Sequence, residues 1–171
     1  RIHWDARKVQ LNLAAFYYDY QDQQVFMNRP SSASSGQPVQ VLDNIGQSVI
    51  YGFEADASWQ PDPAVQLHLS AGYLPKANLS HFVDAAGNEI RDNRLPYTSK
   101  WNVSGSGQYV YDLTSASLIF QLNFDHQSDF YFDQNQNPYT QQDGYTLFNT
   151  RIAYEQQNWT IAIWGKNIGN E

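Results

Sequence analysis

Seven segments of this chain alternate apolar and polar residues with a period of two. In VIYGFEADASWQ, Val49, Tyr51, Phe53, Ala55, Ala57 and Trp59 form one set, and Gly52, Glu54, Asp56, Ser58 and Gln60 the other. Period two places the sets on opposite faces of a strand. The segments are 8–20, 47–60, 65–74, 98–111, 116–131, 144–155 and 159–168, and no stretch has the period of a normal amphipathic helix. The chain is therefore read as all-β and antiparallel. What remains open is which face meets a core, and which meets water or lipid.

The connections alternate too. Long ones of about 26 and 23 residues, and a third containing DQNQNPYTQQDG, take turns with the short PDPA, DLTS and QQN. The first long one includes the low-complexity SSASSGQP. A sandwich has mostly short loops. Short turns at one end and long loops at the other are the pattern of an outer-membrane barrel. Composition agrees. Charged residues are 16% of the chain, against about 25% in ordinary soluble domains, and aromatics reach 15%. A mean hydropathy of −0.59 suits a barrel as well as a soluble protein, because inward residues alternate with outward ones. No apolar run is long enough for a transmembrane helix. The net charge of −7 argues against a nucleic-acid partner, and the absence of Cys excludes disulfides and thiolate metal sites.

Aligning the apolar faces predicts register. Tyr154 is expected opposite Trp159, Ile152 opposite Ile161, Arg151 opposite Ala162, Trp59 opposite Leu67 and Tyr111 opposite Ala116. This sends Arg151 and Lys166 to the polar face, as a lipid environment requires. Aromatics fall into two bands. Trp59, Tyr109, Tyr111, Tyr154 and Trp159 sit beside the short turns, and Tyr17, Tyr51, Tyr73, Trp101, Phe130 and Tyr145 toward the long loops. Such bands suit the two interfaces of a bilayer. Strand glycines 52, 72, 105 and 107 are expected to relieve curvature, with a neighbouring ring covering the bare backbone.

Four segments carry a family likeness: LNLAAFYYDYQDQQV, VLDNIGQSVIYGFEADASWQP, LPYTSKWNVSGSGQY and YTLFNTRIAYEQQNWTIAIWGKNIGNE. In their order and spacing the chain resembles the C-terminal part of the barrel of TonB-dependent outer-membrane receptors of the siderophore-receptor type. The resemblance implies a segment of about seven strands within a larger barrel of the 22-stranded type. It implies a Gram-negative outer-membrane location and import of a ferric siderophore or similar scarce nutrient. It also implies the TonB–ExbB–ExbD system as partner, contacted through a plug domain, and no cofactor. Residues 1–171 read as one barrel segment, excised from a longer chain and lacking the plug and the terminal strand. Seven is odd, whereas bacterial barrels close with even strand numbers.

The candidate functional residues follow from this frame. Arg91, Arg94, Tyr97, Phe130, Tyr131, Phe132 and Tyr139 are expected at the outer rim, where rings and guanidinium groups suit a compact, often aromatic chelate. Glu54, Asp56, Arg151 and Lys166 are expected to face the lumen or plug. Glu54 and Asp56 share a face as an acid pair would, yet nothing assembles a catalytic site around them, and the chain is read as no enzyme. His3, His68, His81 and His126 lack metal-ligand spacing. Asp125, Asp129, Asp133 and Asp143 lack an EF-hand pattern and read as a solvated rim. The sequons at Asn78, Asn102 and Asn158 are taken as chance. Two other readings use the same strands: a soluble β-sandwich or lipocalin-like binding module, and a passive porin or adhesin barrel.

Overall fold

The computed structural model describes residues 2–4, 8–22, 24–30, 38–44, 47–80, 82–83 and 89–169. The two chain ends, His81 and nearly all of SSASSGQP lie outside the described residues. In chain order the strands are β1 (Ile2–Trp4), β2 (Val9–Tyr20), β3 (Gln24–Pro30), β4 (Pro38–Asn44), β5 (Ser48–Asp62), β6 (Val65–Leu79) and β7 (Phe82–Val83). There follow β8 (Glu89–Ile90), β9 (Trp101–Asp112), β10 (Ser117–Gln127), β11 (Phe130–Tyr131), β12 (Gln141–Gln142), β13 (Tyr145–Gln156) and β14 (Trp159–Gly165).

The main sheet is an antiparallel meander in the order β1-β2-β5-β6-β9-β10-β13-β14, and it is not closed. Its seven long strands are the seven expected segments, joined by three-residue β1 at one edge. Each long connection carries a two-stranded hairpin of its own: β3–β4, β7–β8 and β11–β12. Strand five was expected to run to Tyr131. Instead β10 stops at Gln127, and Phe130–Tyr131 pairs with Gln141–Gln142 inside the loop.

Every turn at the other end is short. Asp62 Oδ1 accepts the Ala64 amide at 2.9 Å and closes the first, as an Asx turn does. Leu113 N donates to Ala116 O at 2.8 Å in the second. Gln157, with φ of 35°, and Asn158 form the third. These turns correct two of the expected registers. Tyr154 faces Ile161, Ile152 faces Ile163 and Arg151 faces Trp164, two residues from expectation. Tyr111 faces Leu118 rather than Ala116. A slip of two keeps every side chain on its face, so the hydrophobic pattern cannot detect it. What selects the register is the tight two-residue hairpin closed by Gln156 and Trp159. Trp59 faces Leu67 as expected.

The two faces differ sharply. Cross-strand register builds apolar rows such as Leu11–Ala57–Leu69–Gly105–Phe124–Phe148. On this face Leu13, Phe53, Leu69, Leu122, Ile161 and Ile163 are all exposed, and among the described residues no second layer covers them. Trp59, Tyr109, Tyr111, Tyr154 and Trp159 line its short-turn end, with Tyr154 and Trp159 5.3 Å apart. Near the loops, Tyr17 stacks on Tyr51 at 6.4 Å and Tyr73 on Trp101 at 4.1 Å. Two members of the expected outer band lie elsewhere: Phe130 belongs to a loop hairpin, and the Tyr145 hydroxyl donates to Gln127 Oε1 on the polar face. The Phe124 ring lies over Gly105, where a side chain would collide with it.

A one-layer sheet leaves little interior. The buried cluster is Ala77, Leu79 and Leu95, with Ile50, Leu74 and Ile90 against it. It forms where residues 93–95 run beside the end of β6, with Leu79 N donating to Asn93 O and Leu95 N to Ala77 O.

Candidate functional site

The polar face is concave, and two open hollows lie along it among the described residues. The larger, of about 600 Å³, crosses β2, β5, β6, β9, β10 and β13 and is lined by Asn12, Glu54, Asp56, Ser104, Asp125 and Tyr145, among others. The smaller, of about 460 Å³ toward the short turns, is walled mainly by Gln10, Gln60, Gln66, Gln108, Gln121 and Asn123. Amide and hydroxyl side chains at alternate strand positions make this wall hydrogen-bonding but largely uncharged.

Glu54 stands between Ala14 and Gly72, and Asp56 between Asn12 and Ser70. Asn12 Nδ2 donates to Asp56 Oδ1 at 3.4 Å. His68 touches both neighbours, with Nε2 3.3 Å from Asp56 Oδ2 and Nδ1 3.1 Å from Ser58 Oγ. A Ser, a His and an Asp thus meet, although their positions carried no such signal along the chain. The contact lacks what acyl transfer needs. Ser58 lies mid-strand with β2 and β6 on either side, so the surrounding backbone N–H groups serve the sheet ladder and form no oxyanion hole. Arg151 is on the same face and donates to Gln121 Oε1 at 3.1 Å. Lys166 follows β14 in an exposed bend, beyond the strand.

The outer-rim candidates separate into three groups. Tyr97, Phe130 and Phe132 come together: ring centroids are 5.6 Å apart for Tyr97–Phe132, 6.5 Å for Tyr97–Phe130 and 5.2 Å for Phe130–Phe132. Tyr97 takes φ of 58°, and its amide donates to Tyr131 O at 2.8 Å, which ties two long connections together. Tyr139 stands apart, 96% exposed in the 3₁₀ turn Pro138–Thr140. The arginines are engaged. Arg91 pairs with Glu89 at 2.8 Å on the surface.

Arg94 is half-buried and donates to Leu74 O at 2.6 Å, Thr98 O at 3.0 Å and Ser99 O at 3.2 Å. Burial pulls its guanidinium below the usual arginine range, and nearby Asp129 opposes that pull. The expected rim cation is therefore a brace. It stands where β9 leaves β6, between the pair Tyr73–Trp101 and the isolated bridge Asn78–Arg94.

The four aspartates do not converge. Asp125 lines the larger hollow. Asp133 binds Thr140 Oγ1 and the Asn135 amide within its own loop, and Asp129 lies 3.4 Å from Gln141 Nε2. Among the described residues no group of His, Asp or Glu is placed to hold a metal ion. His126 is on the apolar face, with Nδ1 2.9 Å from Thr146 Oγ1.

One feature escaped the sequence reading. Phe16, Tyr18 and Tyr20 alternate along β2 on the polar face, with centroids 5.5 and 5.9 Å apart. Their signal lay in AFYYDY, where Tyr17 alone of the four rings belongs to the opposite face.

The family model for the TonB dependent receptor-like β-barrel matches residues 1–168. A sequence search of curated proteins finds no match. Among solved structures, the ferric yersiniabactin uptake receptor from Yersinia pestis is similar with a TM-score of 0.73 and 19% identity, over 98% of this chain and 23% of that one. The siderophore receptor PiuA from Acinetobacter baumannii gives 0.72 and 15%, over 98% and 23%. The ferric preacinetobactin receptor from Acinetobacter baumannii gives 0.68 and 18%, over 98% and 24%. The chain thus spans about a quarter of the length of each of these structures.

Proposed function

Since the chain belongs to the TonB dependent receptor-like β-barrel family, we propose that it walls part of an outer-membrane receptor importing an iron–siderophore or a similar scarce nutrient. The observation that carries this reading is the two-faced sheet. Its apolar face has aromatic rings at both ends and, among the described residues, no covering layer, and its concave face is lined by hydrogen-bonding side chains. In a bilayer the first face meets lipid and the second lines a passage. A sandwich or lipocalin-like module is disfavoured, because either would bury the apolar face.

In this reading Glu54, Asp56 and Arg151 line the passage, and Lys166 stands at its margin. Tyr97, Phe130 and Phe132 form a loop platform for the ligand, flanked by Tyr131 and Tyr139. Arg91 and Arg94 shape the loops rather than bind. Energy for import comes from the TonB–ExbB–ExbD system acting on a plug domain, in a Gram-negative outer membrane. The chain's own residues supply positioning and stacking, and no bond is made or broken.

Uptake tests this. Deletion of the parent gene is expected to abolish energised uptake of a radiolabelled ferric chelate by iron-starved cells, and collapse of the inner-membrane proton gradient to do the same in the parent strain. Uptake that ignores the gradient would instead make the parent a passive pore.

A further inference from the structure

Besides the single Trp164 opposite Arg151, the polar wall carries a run of rings that a water-lined passage does not need. Phe16, Tyr18 and Tyr20 stack along β2 at the loop end of the concave face, and Tyr18 and Tyr20 are 50% and 46% exposed there. Lower on the same strand face stand Asn12 and Gln10. Exposed rings toward water cost free energy unless something flat covers them. The hollow adjoining them is lined by carboxylates and by no Lys or Arg. Glu54, Asp56 and Asp125 line the adjoining hollow, with His68 against Asp56. Among the described residues, Lys8 just before β2 and Arg151 on β13 lie toward the short turns, beside Gln60 and Gln121, and Lys166 stands just past the end of β14, at the sheet edge far from β2. The loop guanidinium of Arg94 is fixed on three carbonyls beside Asp129. A ring-bearing anion entering here would meet stacking surface and repulsion together. A neutral or cationic one would meet stacking and attraction.

We propose that the ligand is a flat-faced chelate without net negative charge, neutral or cationic, which stacks on Phe16–Tyr18–Tyr20 above the carboxylates of Glu54, Asp56 and Asp125. This rests on the chelate-import reading and adds the ligand's charge class and its contact surface.

The test uses the complete receptor in detergent and three probes that all carry flat rings: a ferric tris-arylhydroxamate made cationic by quaternary ammonium groups, the neutral ferric tris-benzohydroxamate and the trianionic ferric tris-catecholate. Binding is read by quenching of intrinsic fluorescence. A hydroxamate complex is expected to bind, and the trianion at least about tenfold more weakly. The double variant Tyr18→Ala/Tyr20→Ala is expected to weaken hydroxamate binding about tenfold, as loss of two ring contacts implies. The triple variant E54Q/D56N/D125N is expected to lower the cation-to-trianion affinity ratio about tenfold. Unaltered circular dichroism and heat-dependent gel migration verify folding of each variant. Tightest binding by the trianion, or indifference to the tyrosine variant, would overturn the inference while leaving iron-chelate import intact. Binding of no chelate would overturn both.

Discussion

At the scale of single residues, close approach of backbone and ring decides what each strand position tolerates. Gly105 lies beneath Phe124, whereas a side chain at Gly107 would meet only Leu67 at 3.4 Å. Gly105→Val is therefore expected to destabilise the folded barrel by about 1–3 kcal/mol through overpacking. Gly107→Ala should be close to neutral. Urea unfolding of the complete receptor in micelles separates the two. Arg94 makes a second case. Arg94→Ala leaves the carbonyls of Leu74, Thr98 and Ser99 without their charged donor, an expected loss of about 1.5–3 kcal/mol. Faster amide hydrogen exchange confined to residues 95–100 would report it. The ring over a glycine was legible in the sequence for Gly52 and Gly105, whereas Gly72 and Gly107 have no ring above them. The task of Arg94 was not. It depends on where β9 departs from β6, and no local pattern records that divergence.

At the scale of the strand, alternation settles which residues share a face but not how far one strand slides on the next. The seven strands, their order and the sides of Glu54, Asp56 and Arg151 followed from period two and loop lengths. The two registers that slipped by two residues did not, because both alternatives keep Ile152 and Arg151 on their faces. Two of the three loop hairpins were missed for another reason. β7–β8 and β11–β12 have two residues per strand, too few for a period to appear. Phe130 therefore read as the end of a long strand. Alternation also sets the response to charge. Leu69→Arg, at mid-height on the apolar face, is expected to cost about 2–4 kcal/mol of folding into lipid bilayers. Ser70→Arg, one residue on and facing the hollow, should cost under about 1 kcal/mol. Equal costs in bilayer refolding titrations would mean that the face does not meet lipid.

At the scale of the whole molecule, the sheet ends in open edges at β1 and β14, and its apolar face has no partner within the described residues. Unpaired edges beside exposed apolar surface associate. The chain produced alone in detergent-free buffer is thus expected to scatter light as large assemblies. A monodisperse species with a cooperative melt would contradict the barrel reading. The low net charge of this wall also makes ligand selection a property of few groups. In the proposed reading, three carboxylates lining a hollow of about 600 Å³ set the sign preference, and the three rings beside it set the shape preference.

The unequal ends of the meander also mark which connections accept foreign sequence. Gln157 and Asn158 alone join β13 to β14, so a peptide tag inserted there would have to unpair a hairpin. Between Asp133 and Asn137 the chain already closes on itself through Thr140, which holds both ends of that segment. A tag placed after Asn135 is expected to leave the sheet intact and to bind antibody on unbroken cells. The architecture thus offers a handle on the cell surface, and whether antibody reaches it tells directly which way the chain is threaded.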